Sequence, residues 1–222
     1  MKTVYHHSTA QRLAQDMQEV ENRARTTQSR CRVQTITSLR SLLPDRSTTD
    51  RLVRKYLHTF ETTYRVVHVP SFQQAYERYW DLDDSDVTDM DALVLAILAC
   101  TICTSALESP RYDYSGSTLH KTAVRYIKAC EAWLRRQSSK HRTLVSLQVR
   151  CLRLLALSTA SYKAKDYFQE VRAHISLMIS CGMHRDPVHL GDRCSVFDGE
   201  MRRRLWATSV SRSRREALHV PC

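Results

Sequence analysis

Glycine is scarce in this chain, with 4 in 222 residues, and proline is nearly as rare at 5. So few residues able to turn a backbone tightly, or to let it wrap a phosphate, disfavour both a hairpin-rich sheet fold and a glycine-rich nucleotide loop. No G-x-G-x-x-G, G-x-x-x-x-G-K or G-x-S-x-G pattern occurs. Long apolar runs are missing as well. The most apolar stretch, Ala92 to Leu107, falls short of the ~20 residues that cross a bilayer and carries threonine and serine. It reads as a buried helix, and no membrane partner is expected. There is no secretory signal, internal repeat or low-complexity tract, and the eight cysteines (31, 100, 103, 130, 151, 181, 194 and 222) are scattered through mostly apolar helical stretches. Free cysteines used as small buried hydrophobes suit a reducing intracellular compartment.

What remains is leucine, alanine, arginine and glutamine in a 25.8 kDa chain, enough for one real core. An all-α, multi-helix fold is expected. Thirty-four Lys and Arg against 23 Asp and Glu give a formal charge of +11, which raises the prospect of a polyanionic neighbour. Lys121, Arg125, Lys128, Arg135 and Arg136 recur with helical spacing, however, and read as a solvated outer face, with aromatics kept at core positions.

Residues 1–45 read as a polar linker with one short stripe of Leu13, Met17 and Val20. A helix is expected from the S-T-T-D pattern at Ser47, with Leu52, Val53, Tyr56, Leu57, Phe60 and Tyr64 on its inner side, ending before Pro70. His68, Val69 and Pro70 then form an extended corner. Ser71 and Gln74 read as a capping box for a second helix lined by Phe72, Ala75, Tyr76, Tyr79 and Trp80. Asp81, Asp83, Asp84, Asp86, Asp89 and Asp91 read as a solvated entry to the Ala92 helix, where carboxylates favour the positive dipole end. Further helices are expected at 119–137, 143–162, 166–181, stopped by Gly182, and 196–210, with Phe197, Met201, Leu205 and Trp206 inward. The helical domain is thus expected over 46–208, and 209–222, which loses apolar periodicity, as an irregular basic tail.

The chemistry-bearing constellations are weak. Cys100-x-x-Cys103 lacks the second ligand pair that tetrahedral zinc needs. Cys181, His184, His189 and Cys194 are denser, but their spacing matches no zinc finger, and they decorate a helix end. The aspartate run lacks the central glycine and closing glutamate of a calcium loop. No catalytic residue, metal ligand or cofactor is assigned, and no enzyme is expected. The rival reading, a helical enzyme or small-ligand-binding protein, would place His184, Arg185 and Asp186 at a pocket rim.

Four stretches taken in order resemble the regulatory middle domain of fungal binuclear zinc-cluster transcription factors: the run from LLPDRSTTDR to HVPSF, then SFQQAYERYW, then CGMHRDP closing a helix, then FDGEMRRRLW. His68, Pro70, Ser71 and Phe72 fall on the first motif. Gly182, His184, Arg185, Asp186 and Pro187 fall on the second, and Glu200, Arg202, Arg203, Arg204 and Trp206 on the third. The resemblance covers roughly Leu42 to Trp206. It implies an all-helical regulatory domain in a nuclear regulator of RNA polymerase II genes, often of a secondary-metabolite cluster or nutrient pathway. It also implies these residues as structural signatures, and a homodimer or a heterodimer with a zinc-cluster factor and indirect contact with DNA are expected. Zinc belongs to family members that carry six closely spaced cysteines; only Cys31 precedes Cys100 here, so no zinc ligand transfers. The family domain continues beyond the arginine-arginine-arginine-x-tryptophan helix with a second aromatic where Ala207 stands, so an incomplete copy, as from a shortened gene, is expected.

Overall fold

The computed structural model describes Arg12, Gln15 and residues 38–81, 88–104, 112–113, 116–137 and 142–217. Contacts divide the chain into Met1–Thr37 and Ser38–Cys222. Of the first unit, only Arg12 and Gln15 are described, both helical and exposed. The stripe of Leu13, Met17 and Val20 lies outside the described residues, as do Cys31, Asp83, Asp84, Asp86 and Cys222.

The second unit is all-α. Its helices are α1 (Arg46–Thr59), α2 (Glu61–Tyr64), α3 (Val69–Tyr79), α4 (Thr88–Thr101), α5 (Thr118–Arg136), α6 (Leu144–Thr159), α7 (Tyr167–Ser180) and α8 (Val196–Ala217). A two-residue antiparallel ladder, β1 (Tyr112–Asp113) with β2 (Gly116–Ser117), precedes α5. The core is built around α4, whose residues from Asp91 to Thr101 are all buried. Such an all-round apolar helix must be covered on every side; α1, α5 and α6 supply the cover. On its own side α6 extends the core to α7 and α8, which also pack on each other. Each fully buried leucine, isoleucine or valine here contributes about 1.5–3 kcal/mol relative to exposure.

The helix starts differ from the sequence reading in instructive ways. Asp45, not Ser47, caps α1: its carboxylate accepts the Thr48 N–H at 2.9 Å and the Ser47 hydroxyl at 2.5 Å. These bonds, the Ser47 hydroxyl first, lower the Asp45 pKa to about 2. The corner at Pro70 is also a helix start. Helix α3 begins at Val69 with His68 as its cap, and proline sits in the first turn, where a missing N–H costs nothing. Ser71 is therefore one turn inside, and it closes the cap by contacting His68. Of the aromatic stripe, Phe72 and Tyr79 are buried, Tyr76 and Trp80 are half-buried, and Ala75 is exposed.

Three further expectations are corrected. Asp91 is no solvated carboxylate: it is buried and accepts the Tyr79 hydroxyl, tying the end of α3 to α4. Residues 209–217 are not an irregular tail but the last turns of α8. Ser209 and Arg212 are buried there, because polar partners on α7 replace the missing apolar stripe. Phe197, expected inward, is 44% exposed.

Candidate functional site

The motif residues meet at a junction formed by the end of α7, the 3-10 segment Pro187–Arg193 and α8. Helix α7 ends in a Schellman motif. Gly182 takes the left-handed conformation (φ 67°), its N–H donates to Ile179 O, and the Met183 N–H donates to Met178 O, both at 2.9 Å. Cys181 and Gly182 still present carbonyl oxygens at this negative end. Arg202 reaches both through Nη2, at 3.2 and 3.1 Å. Its cation thus satisfies acceptors that a helix C-terminus leaves open.

Around this cap the other motif side chains form a lattice. Asp186 Oδ1 accepts the Val188 N–H at 3.0 Å and Arg203 Nη2 at 2.9 Å, and these bonds, the Val188 one first, hold its carboxyl below the usual range. The Arg185 N–H donates to Gly182 O at 3.2 Å, continuing the turn. Pro187 is buried against Gly199 of α8; a methyl on that glycine would stand 3.2 Å from Pro187 Cβ. The His184 ring lies 6.2 Å from Trp206, edge to face, and Arg204 Nε donates to Glu200 at 2.7 Å. The last contact is an exposed helical i,i+4 pair and contributes little to stability.

The corner motif joins the same helix at its other side. His68 Nδ1 accepts the Ser71 hydroxyl at 2.7 Å and lies 3.4 Å from the Ser71 N–H, so its lone pair faces the cap and Nε2 carries the proton. Its ring stands edge-on to Phe197 of α8, with centroids 5.2 Å apart. Phe72, one turn on, is buried. All three motif stretches therefore converge on α8, and what they do chemically is to cap, pair and pack.

Sequence reasoning missed the polar groups inside the bundle. Glu61 is buried and accepts the Tyr56 hydroxyl at 2.8 Å and the N–H groups of Val66 and Val67 at 3.2 and 3.0 Å. Burial pushes its pKa up against the pull of these bonds. Arg153, amid the apolar residues of α6, forks onto Glu170 of α7 at 3.0 and 3.2 Å and reaches Glu131 of α5 at 3.5 Å. A charged residue inside an apolar run is the one signal that could have exposed it.

Cys151, His174 and Ser209 come together as a thiol, an imidazole and a hydroxyl. His174 Nε2 lies 2.9 Å from Ser209 Oγ and 3.6 Å from Cys151 Sγ. Ser209 Oγ spends its own proton on Leu205 O at 2.7 Å, so His174 donates to it from Nε2. Burial raises the Cys151 pKa to about 11 and lowers that of His174 to about 4. A protonated thiol, a neutral imidazole and full burial make this a packing cluster rather than a nucleophile.

The other cysteines are placed for packing as well. Cys100 donates to Ala96 O and Leu152 O at 3.2 and 3.3 Å, and burial pushes the Cys130 thiol to about 12. Such thiols are opposite to what zinc thiolates require. Among the described residues, no three or more His, Cys, Asp or Glu side chains gather to hold a metal ion, so Cys181, His184, His189 and Cys194 do not assemble a site. The described cysteines do not fit a zinc cluster. On the α5 face Arg125, Lys128, Arg135 and Arg136 are exposed, and Lys121 is half-buried.

A cleft of about 580 Å³ opens between the ends of α2 and α6, the start of α7 and the middle of α8. Tyr64, Arg65, Tyr167, Arg204, Ala207 and Arg212 are among its walls. His184, Arg185 and Asp186 are not.

Fold and junction together define an all-α, multi-helix domain whose motif residues close helix ends. No protein-family model matches the chain, and no solved structure does. Curated proteins do. Transcription factor opdR of Penicillium oxalicum is 35% identical over 76% of this chain and 20% of its own length. The Zn(2)-C6 fungal-type transcription factor mpsB of Macrophomina phaseolina is 28% identical over 78% of this chain and 23% of its own. The equisetin cluster transcription factor eqxF of Fusarium heterosporum is 30% identical over 77% of this chain and 25% of its own. This chain is homologous to the fungal Zn(2)-C6 transcription factors. It spans about a fifth to a quarter of the length of these relatives.

Proposed function

We propose that this chain carries the regulatory segment of a fungal transcriptional regulator, acting in the nucleus on genes read by RNA polymerase II and reaching DNA indirectly through protein contacts. The observation that carries this reading is homology to transcription factors over about three quarters of the chain. The motif stretches that resemble that family's regulatory domain also supply contacts that tie the His68 corner and the end of α7 to α8. The segment acts by dimerising with, or competing against, a zinc-cluster factor, and the target is a secondary-metabolite cluster or a nutrient pathway; one relative is named for the equisetin cluster. It performs no catalysis. His68, Pro70, Ser71, Phe72, Gly182, His184, Arg185, Asp186, Pro187, Glu200, Arg202, Arg203, Arg204 and Trp206 serve the fold rather than a reaction.

The test is to delete the gene and sequence transcripts, and to tether the full chain to a heterologous DNA-binding domain upstream of a reporter. A coherent change in one gene cluster, together with altered reporter output, is expected. Unchanged transcripts and an unchanged reporter would overturn the reading.

A further inference from the structure

The cleft between α2, α6, α7 and α8 holds an unbalanced charge. Arg212 is 7% exposed, and among the described residues its guanidinium meets neutral partners: Nη1 donates to the Tyr167 hydroxyl at 2.9 Å, and Cζ stands 4.9 Å from the Tyr64 ring centroid. Among the described residues no carboxylate lies within ion-pair distance of it. A buried cation without a counter-charge is costly, and a tyrosine hydroxyl and a ring face offset only part of that cost.

The surrounding walls add positive charge. Arg204 engages Glu200 through Nε and lines the cleft beside Arg212. Arg65 stands exposed at the end of α2, held there by its left-handed backbone (φ 49°). None of the described lining residues is acidic. A volume of about 580 Å³ suits a small molecule. Guanidinium groups bind carboxylate and phosphate oxygens through paired N–H donors.

We propose that this cleft binds a small molecule bearing an oxyanion, carboxylate or phosphate, with Arg212 and Arg204 as its cationic contacts and the Tyr64 ring as a wall for its body. Ala207, exposed on the α8 side, leaves the entrance open. The site shares Arg204 with the motif residues of the helix-end junction, and the proposal does not depend on the transcriptional reading.

The experiment is calorimetric titration and thermal melting of the full chain with succinate, inorganic phosphate and neutral succinamide, at matched low ionic strength. Two variants accompany it. Arg212→Lys keeps the charge and loses the planar fork, and Ala207→Phe fills the entrance from an exposed position that carries no charge. Saturable binding of succinate or phosphate, absent for succinamide and about tenfold weaker in both variants, is expected. Binding of succinate alone marks a carboxylate ligand, and binding of phosphate alone marks a phosphorylated one. If Arg212→Lys does not fold, Ala207→Phe decides by itself. No saturable binding of either anion, or equal binding in Ala207→Phe, overturns the proposal, the second result meaning diffuse association with a basic surface.

Discussion

Arg202 of α8 donates through Nη2 to the carbonyl oxygen of Gly182 at 3.1 Å, twenty residues back along the chain. With the matching bond to Cys181, this single side chain meets two carbonyls just past the end of α7, the Gly182 one also accepting the Arg185 N–H. Arg202→Ala is expected to lower the free energy of unfolding by about 1.5–3 kcal/mol, the range for hydrogen bonds from a charged donor. Urea denaturation of both proteins checks this. A loss under about 0.5 kcal/mol would mean that water substitutes for the guanidinium.

Gly182 itself is held at φ 67°. A methyl added there would meet Arg202 Nη2 at 3.8 Å, an ordinary contact, so the penalty for Gly182→Ala comes from the left-handed backbone alone. The expected cost is about 1–2 kcal/mol. A much larger loss in the same denaturation assay would point to a clash that this geometry does not contain.

Glu61 gathers one hydroxyl and two backbone N–H groups in the core. Glu61→Ala leaves three buried donors without an acceptor, and each orphan costs about 1–3 kcal/mol, so a loss of at least 3 kcal/mol is expected. Tyr56→Phe removes a single bond and should cost about 1 kcal/mol. Comparable losses for the two variants, measured by thermal melting, would contradict the shared-acceptor role.

His174 makes folding depend on pH. Burial first, and the nearby Arg150 and Arg212 charges next, lower its pKa from 6.5 to about 4. Between those values the unfolded chain binds a proton that the folded chain refuses, so stability is full above about 6.5 and falls as pH drops toward 4. The contribution is about 3 kcal/mol at most. Melting temperatures of the parent should fall across this window more steeply than those of His174→Gln, and parallel curves for the two proteins would refute the assignment.

Much of the bundle was legible in the spacing of apolar residues. The Ala92 run, Leu147 to Leu157, and the stripe from Met201 to Leu205 appear in the structure as buried helix faces, because a period near four residues leaves few other ways to bury leucine. The polar interior was not legible in that way. Asp91 looked like one of six solvated aspartates, and only the approach of the Tyr79 hydroxyl distinguishes it. Arg153 and Arg212 carried no local sign of their partners, since Glu131, Glu170, Tyr64 and Tyr167 come from other helices.

The same division runs through the motifs. The end of α7 at a glycine and the apolar helix at the centre were written in the chain itself, because local backbone preference and hydrophobic period act residue by residue. Packing alone made Arg202 cap a helix other than its own, continued α8 through residues 209–217, and buried Arg212 beside an open cleft. Those outcomes depend on partners brought near by packing, and no spacing along one strand of sequence specifies them.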